Sequence, residues 1–273
     1  MQPWGSWTVS RRLHDEHRRL RQGGARQHRG QDGHQTHTII RDGGEAVVNP
    51  FDAAALEVAL RIKDEHRAAG EACTVTVLSM GIPATEKLLR DCIARGADAG
   101  LLLSDRAFAG ADTLATTYAL SCGIARLGAP DLVLCGKMAV DGDTAQIGPE
   151  LAGALNVPCA VGVAGLPAVT DGTVTVQREF DAGVATAAFP LPAVLTVAKD
   201  VAELRMASIA GILAAEDAEI SVLSAEAAGA DARASALRGP RRRSCARSCP
   251  RAMRGESRSR GTPPLRRSRS SRS

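Results

Sequence analysis

The feature that most constrains this chain is an alternation between residues 74 and 155. Short runs without charge (Thr74–Ser79, Gly100–Leu103 and Leu132–Cys135) are each followed by a longer segment with apolar residues at helical spacing. Strands buried on both faces read as continuous apolar runs, and helices between them carry the chain back for parallel pairing. The spacing predicts helices over Pro83–Arg95, Asp112–Leu127 and Asp143–Leu155. Asn49-Pro50 predicts an earlier helix, with Asn as N-cap and Pro at the first helical position, extending to about Ala69. Thr38–Arg41 and Glu45–Val48 around Asp42-Gly43-Gly44 read as a hairpin. Beyond Val157 the pattern turns to strands: Val157–Val163, Thr173–Phe180, Val184–Phe189 and Ala193–Val197. The expected fold is α/β: an open, mostly parallel sheet with helices on both faces, of Rossmann-like nucleotide-binding type, with extra antiparallel strands near its C-terminal end. A loop and a poorly patterned arm follow from about Glu216.

Charge divides the chain into three. Residues 1–37 hold 7 Arg and 3 acids, and residues 238–273 hold 13 Arg and one acid. The stretch between them holds 14 basic and 26 acidic residues, for −12. All four lysines (Lys63, Lys87, Lys137, Lys199) lie in that middle. The middle is therefore an acidic domain, and a basic nucleic-acid-binding surface is not expected there. Neither end has the apolar content to offset its ordering entropy, so both are expected to be disordered. The Arg/Ser tail reads either as an RNA-binding segment or, the favoured reading, as GC-rich DNA translated in a shifted frame, and residues 1–37 likewise. Five cysteines scattered through the middle show no metal-ligand spacing and are expected to be free thiols. Leu151–Thr170 is uncharged, but Asn156, Pro158 and Pro167 break it, so no membrane insertion is expected. The localisation expected is cytoplasmic, with the mitochondrial matrix as alternative.

No catalytic triad or metal site is indicated, since His66 is the only histidine of the middle domain. The informative stretch is Gly136-Lys137-Met138-Ala139-Val140-Asp141-Gly142-Asp143-Thr144-Ala145-Gln146-Ile147-Gly148-Pro149. It follows a buried strand and opens a helix, the place where open α/β sheets bind ligands. Asp143 and Gln146 have capping-box spacing. The functional reading is a phosphate site made by the N–H groups of Thr144, Ala145 and Gln146 at a helix N-terminus, with Gly136 and Gly142 allowing close approach.

Together with Asn49-Pro50-Phe51-Asp52, Leu78-Ser79-Met80-Gly81, the run Leu103–Thr116 and Leu191–Val197, this stretch resembles the beta (small) subunit of electron transfer flavoproteins, from about Ile40 to Leu237. The resemblance implies a carrier rather than a bond-making enzyme, paired with an FAD-carrying alpha subunit and serving acyl-CoA or other dehydrogenases. It implies an adenine nucleotide, FAD or alternatively AMP, held by Asn49, Pro50, Phe51, Asp52, Met80, Gly136, Lys137, Ala139, Asp141, Gly142, Asp143, Thr144, Ala145, Gln146 and Ile147. A partner-recognition loop is expected over about 198–213, with Ile209 as its apolar anchor. The domain would then run over 38–225 and a partner-wrapping arm begin at 226–237, with the first apolar strand of the family absent from residues 1–37. AMP-type members tend to carry three consecutive acids and then an Asn in the loop; here Gly142 replaces the second acid and Ala145 the Asn. Two like charges ~4 Å apart at an effective dielectric of ~20 repel by about 4 kcal/mol, so a lost carboxylate favours a pyrophosphate and hence FAD. This pattern resembles the flavin-bifurcating members. The alternatives are a stand-alone nucleotide-binding regulatory module and the RNA-binding tail.

Overall fold

The computed structural model describes residues 6–11, 47–140 and 142–231. The elements are β1 (Ser6–Arg11), α1 (Pro50–Ala68), β2 (Thr74–Met80), α2 (Glu86–Ala94), β3 (Ala99–Leu103), α3 (Thr113–Leu127), β4 (Leu132–Gly136), α4 (Ile147–Leu155), β5 (Cys159–Val163), β6 (Ala168–Thr170), β7 (Thr173–Phe180), β8 (Gly183–Pro190), β9 (Ala193–Val197), α5 (Ile209–Glu216), β10 (Ile220–Leu223) and α6 (Ala225–Ala228). One sheet takes the order β10-β3-β2-β1-β4-β9-β5-β7-β6, with β8 paired on β7. Strands β10, β3 and β2 run parallel, as do β4, β9 and β5. The α/β class and the antiparallel C-terminal extension, β6 to β8, are as the residues lead one to expect.

Alternation along the strands sends successive side chains to opposite faces. In β2, Val75 and Val77 join Leu56, Leu60, Leu89 and Leu134 in a core under α1 and α2. Leu78 and Met80 join Leu120, Ile124, Leu151 and Val133 under α3 and α4. Both faces are thus covered, which is why β4 and β9 are buried along their whole length and contain no charge.

Three expectations need correction. Residues 1–37 were expected to hold no strand, yet Ser6–Arg11 fills the slot between β2 and β4, antiparallel to both. Trp7, Thr8 and Val9 have high β propensity, and a ladder needs backbone rather than a continuous apolar run. The arm expected to be poorly patterned from Glu216 instead returns to the sheet, where β10 extends the β3 edge. Four residues suffice for that edge, too few for a periodicity to register. The helix expected from Asp143 starts at Ile147, as described below. The hairpin expected over Thr38–Val48 and the Arg-rich segments fall wholly or largely outside the described residues. Leu151–Thr170 does break as expected: Asn156 closes α4 in the left-handed region (φ 56°), and β5 follows. No helix among the described residues is long and apolar enough to cross a membrane.

Candidate functional site

The first wall of the site is the start of α1. Pro50 takes the first helical position and Asn49 the N-cap position, but the Asn49 side chain caps nothing. Its Nδ2 donates instead to Asp52 Oδ2 (2.8 Å) and to the carbonyl of Met138 (2.9 Å). The other Asp52 oxygen accepts the Gly136 N–H at 2.8 Å. Asp52 thereby ties the helix to the last residue of β4 and the loop beyond it. This packing leaves no room at Gly136, where a Cβ would lie 2.7 Å from Asp52 Oδ1 and from Phe51 Cβ. Burial pushes the Asp52 carboxyl up to about 7, although the Asn49 and Gly136 hydrogen bonds pull the other way. Asn49 Oδ1 is buried and has no hydrogen-bond partner among the described residues. Such an acceptor costs free energy unless a ligand supplies a donor, as an amino group or a sugar hydroxyl would. Met80 is buried at the carboxyl end of β2, two strands from Gly136 across β1.

The second wall is the loop after β4. The Lys137 N–H extends the ladder to Val197 O (2.8 Å), and the Asp143 N–H closes a turn on Ala139 O (2.9 Å). Asp143 (φ 50°) and Ala145 (φ 51°) are both left-handed. A right-handed helix cannot pass through them, so α4 begins at Ile147 with Gln146 as N-cap, and the expected Asp143–Gln146 capping box does not form. Pro149 holds the sequence signal for the true start. In the first turn its missing N–H costs nothing, whereas in a helix begun at Asp143 it would interrupt the ladder. The consequence for binding is a longer donor array than expected. The backbone N–H groups of Thr144, Ala145, Gln146, Ile147 and Gly148 have no acceptor among the described residues. Gly142 is exposed with nothing near its absent Cβ, and Asp141 lies outside the described residues.

Residues that sequence reasoning missed hold this loop in place. Thr113 Oγ1 of α3 lies 3.2 Å from Gln146 Oε1 and 3.3 Å from Glu150 Oε1, and Thr117 Oγ1 donates to Glu150 Oε2 at 3.1 Å. Gly148 lets α4 ride directly over the sheet, since a Cβ there would collide with Thr196 Cγ2. An open cavity of about 430 Å³ lies beside the loop, lined by Lys137 and by Glu179, Phe180, Asp181, Gly183 and Val184 of the β7–β8 hairpin. Arg178 stacks on Phe180, 4.8 Å from the ring centroid. Nothing in the spacing of a hairpin tells where its tip will come to rest, so no sequence signal could have placed these five residues at Lys137.

Ile209 stands apart from this site, as the first residue of α5, and is 80% exposed. Ser208 caps that helix, its Oγ accepting the Gly211 N–H at 2.9 Å. The last residues of the expected 198–213 loop are therefore helical.

Comparison with known proteins bears on both regions. The family model described as electron transfer flavoprotein domain matches residues 36–228. Protein FixA of Azorhizobium caulinodans is 42% identical over 202 residues, covering 72% of this chain and 70% of that protein. The Caffeyl-CoA reductase-Etf complex subunit CarD of Acetobacterium woodii is 41% identical over 205 residues, 72% of this chain and 76% of its own. Electron transfer flavoprotein subunit beta of Megasphaera elsdenii is 42% identical over 201 residues, 71% and 73% respectively.

Proposed function

Because the chain belongs to the electron transfer flavoprotein family, as a beta-type electron transfer subunit, we propose that it holds an adenine nucleotide between Asn49–Asp52 and Gly136–Ile147 and works as a heterodimer with an alpha subunit. The observation that carries the reading is the run of five N–H groups from Thr144 to Gly148 without an acceptor among the described residues, in the loop that Asn49 ties to α1 through the Met138 carbonyl. Such a run suits phosphate oxygens, because two left-handed residues and a helix start turn successive donors together. Asn49 Oδ1 would accept from the nucleoside part. Asp52 does not touch the ligand in this reading; it fixes Asn49 and Gly136.

The nucleotide is FAD rather than AMP. Gly142 and Ala145 put no side chain beyond a methyl beside the donor array, and they leave it open to a second phosphate. A bound flavin accepts and releases electrons; this chain's residues hold it, exclude water and set its surroundings. A second flavin in the heterodimer allows bifurcation, in which an electron pair from one donor is divided, one electron to each of two acceptors. Ile209 docks on a dehydrogenase that oxidises or reduces CoA esters, a partner class suggested by the name of the Acetobacterium woodii relative. The compartment is the cytoplasm.

The test is co-expression with an alpha subunit, followed by release and chromatography of bound nucleotide. Two FAD per heterodimer and no AMP is the expected result. One FAD with one AMP would leave a single-flavin carrier and overturn the FAD assignment.

A further inference from the structure

Between residues 206 and 213 the chain exposes four apolar side chains: Met206 (88% exposed), Ile209, Ile212 and Leu213. A mobile loop carrying such side chains would pay ordering entropy at every encounter with a partner. Here the backbone that carries them is fastened throughout. The Arg205 guanidinium reaches back to α1, with Nε 2.9 Å from Glu57 Oε2, Nη2 3.1 Å from Glu57 Oε1, and Nη1 2.8 Å from Asp64 Oδ2. The Arg205 backbone N–H also donates to Glu57 Oε2, at 3.1 Å. Glu57 is nearly buried and is held from the other side by Arg61 Nε at 3.0 Å. The Arg205 carbonyl accepts from Arg95 Nη1 (2.7 Å), and Asp91 pairs with that arginine. At the far end, Arg90 Nη1 donates to the carbonyls of Ala215, Glu216 and Ala218 where α5 stops. Gly211 sits so close to α2 that a Cβ would strike the Ala94 carbonyl.

We propose that Arg205 is a positioning residue for docking: its two-oxygen grip on Glu57, with Asp64 beside it, holds the loop ahead of α5 in its bound shape, so that Met206, Ile209, Ile212 and Leu213 meet a CoA-ester dehydrogenase as a preformed apolar surface. The inference rests on the docking role given above to Ile209. A planar guanidinium fork makes this grip, and a lysine ammonium does not reproduce it. Preorganisation lowers the cost of association and leaves electron transfer within the complex untouched, so it acts on KM and not on kcat.

The test uses the heterodimer as acceptor and a butyryl-CoA-oxidising dehydrogenase as donor, with amide hydrogen exchange over residues 198–208 followed in parallel. Arg205→Met is expected to raise the KM for the heterodimer about tenfold, with kcat within about twofold, and to speed exchange in the loop. Arg205→Lys should fall between the two. Asp64→Asn removes a half-exposed partner without threatening the fold and should raise KM about threefold. Faster exchange with unchanged KM, or unchanged exchange in Arg205→Met, would overturn the proposal. A wild-type heterodimer that accepts no electrons from the dehydrogenase would overturn the docking role itself and this inference with it, and the exchange data would still tell whether Arg205 holds the loop.

Discussion

Asp52 has both oxygens engaged and almost no exposure, and burial lifts its pKa to about 7 from an ordinary 3.8. The folded state therefore keeps a proton that the unfolded chain releases, and stability declines as pH rises from about 4 to about 7, by on the order of 4 kcal/mol in total. Urea midpoints across that range, compared with those of Asp52→Asn, check this: the wild type should lose ground steadily up to about pH 7 and hold level above about pH 8. Parallel curves for the two proteins would show that Asp52 titrates alike in the folded and unfolded chain, with no raised pKa in the fold. Its hydrogen-bond partner gives a second expectation. Gly136→Ala would force a methyl between Phe51 and Asp52, which belong to the first turn of α1 and cannot withdraw singly. A loss of about 1–3 kcal/mol in chemical denaturation is expected, together with weaker nucleotide retention. At this scale the sequence was partly legible. Asn49, Pro50 and Asp52 were identifiable as a helix start and, by the resemblance, as part of the candidate site. That Asn49 turns away from capping to bridge Asp52 and Met138 was not, because its partner lies 89 positions along the chain.

Among the elements, the loop from Lys137 to Gln146 was the hardest to read. Asp143 and Gln146, three residues apart, imitate a helix start, and left-handed backbone at Asp143 and Ala145 leaves no trace in composition. The strands were easier. Thr173–Phe180 and Ala193–Val197 emerged with the boundaries expected, because β-branched runs bounded by Gly and Pro leave little latitude. The three-residue strand Ala168–Thr170 was passed over, being too short for alternation to register. The left-handed alanine makes its own prediction. An L-residue there costs about 1 kcal/mol, so Ala145→Gly should be stabilising by about 0.5 kcal/mol once the entropy of the unfolded glycine is counted. Ala145→Val should destabilise by about 1 kcal/mol or more, since branching at Cβ worsens the clash. Denaturation of nucleotide-free protein measures both, and a neutral valine variant would mean that the loop is not left-handed in solution.

For the whole molecule, the alternation of strand and helix conveyed the class, and the sheet order had to await the structure, because β1 enters at its centre from a segment with no apolar run. Six residue pairs join β1 to β2, and three join it to β4. Removing residues 1–11 should bare the edges of two central strands, and the truncated chain is expected to melt without cooperativity and to aggregate. Circular dichroism melts with size-exclusion chromatography check this; a monodisperse, sharply melting truncate would show that β1 is dispensable. Helix α1 joins the region proposed to hold the nucleotide to the region proposed to dock a partner. Asp52 near its start secures the end of β4 and the loop beyond it, and Glu57 and Asp64 further along secure the loop ahead of α5. Each residue inserted in or removed from a helix rotates everything after it by about 100° and shifts it by about 1.5 Å. A single-codon insertion or deletion between Asp52 and Glu57 would therefore swing the Arg205 anchor off its bearing while leaving both loops unchanged in sequence. Ala54, Ala55 and Leu56 of that interval are already fixed by burial in the core; its length is fixed as well, by the two anchors it holds apart.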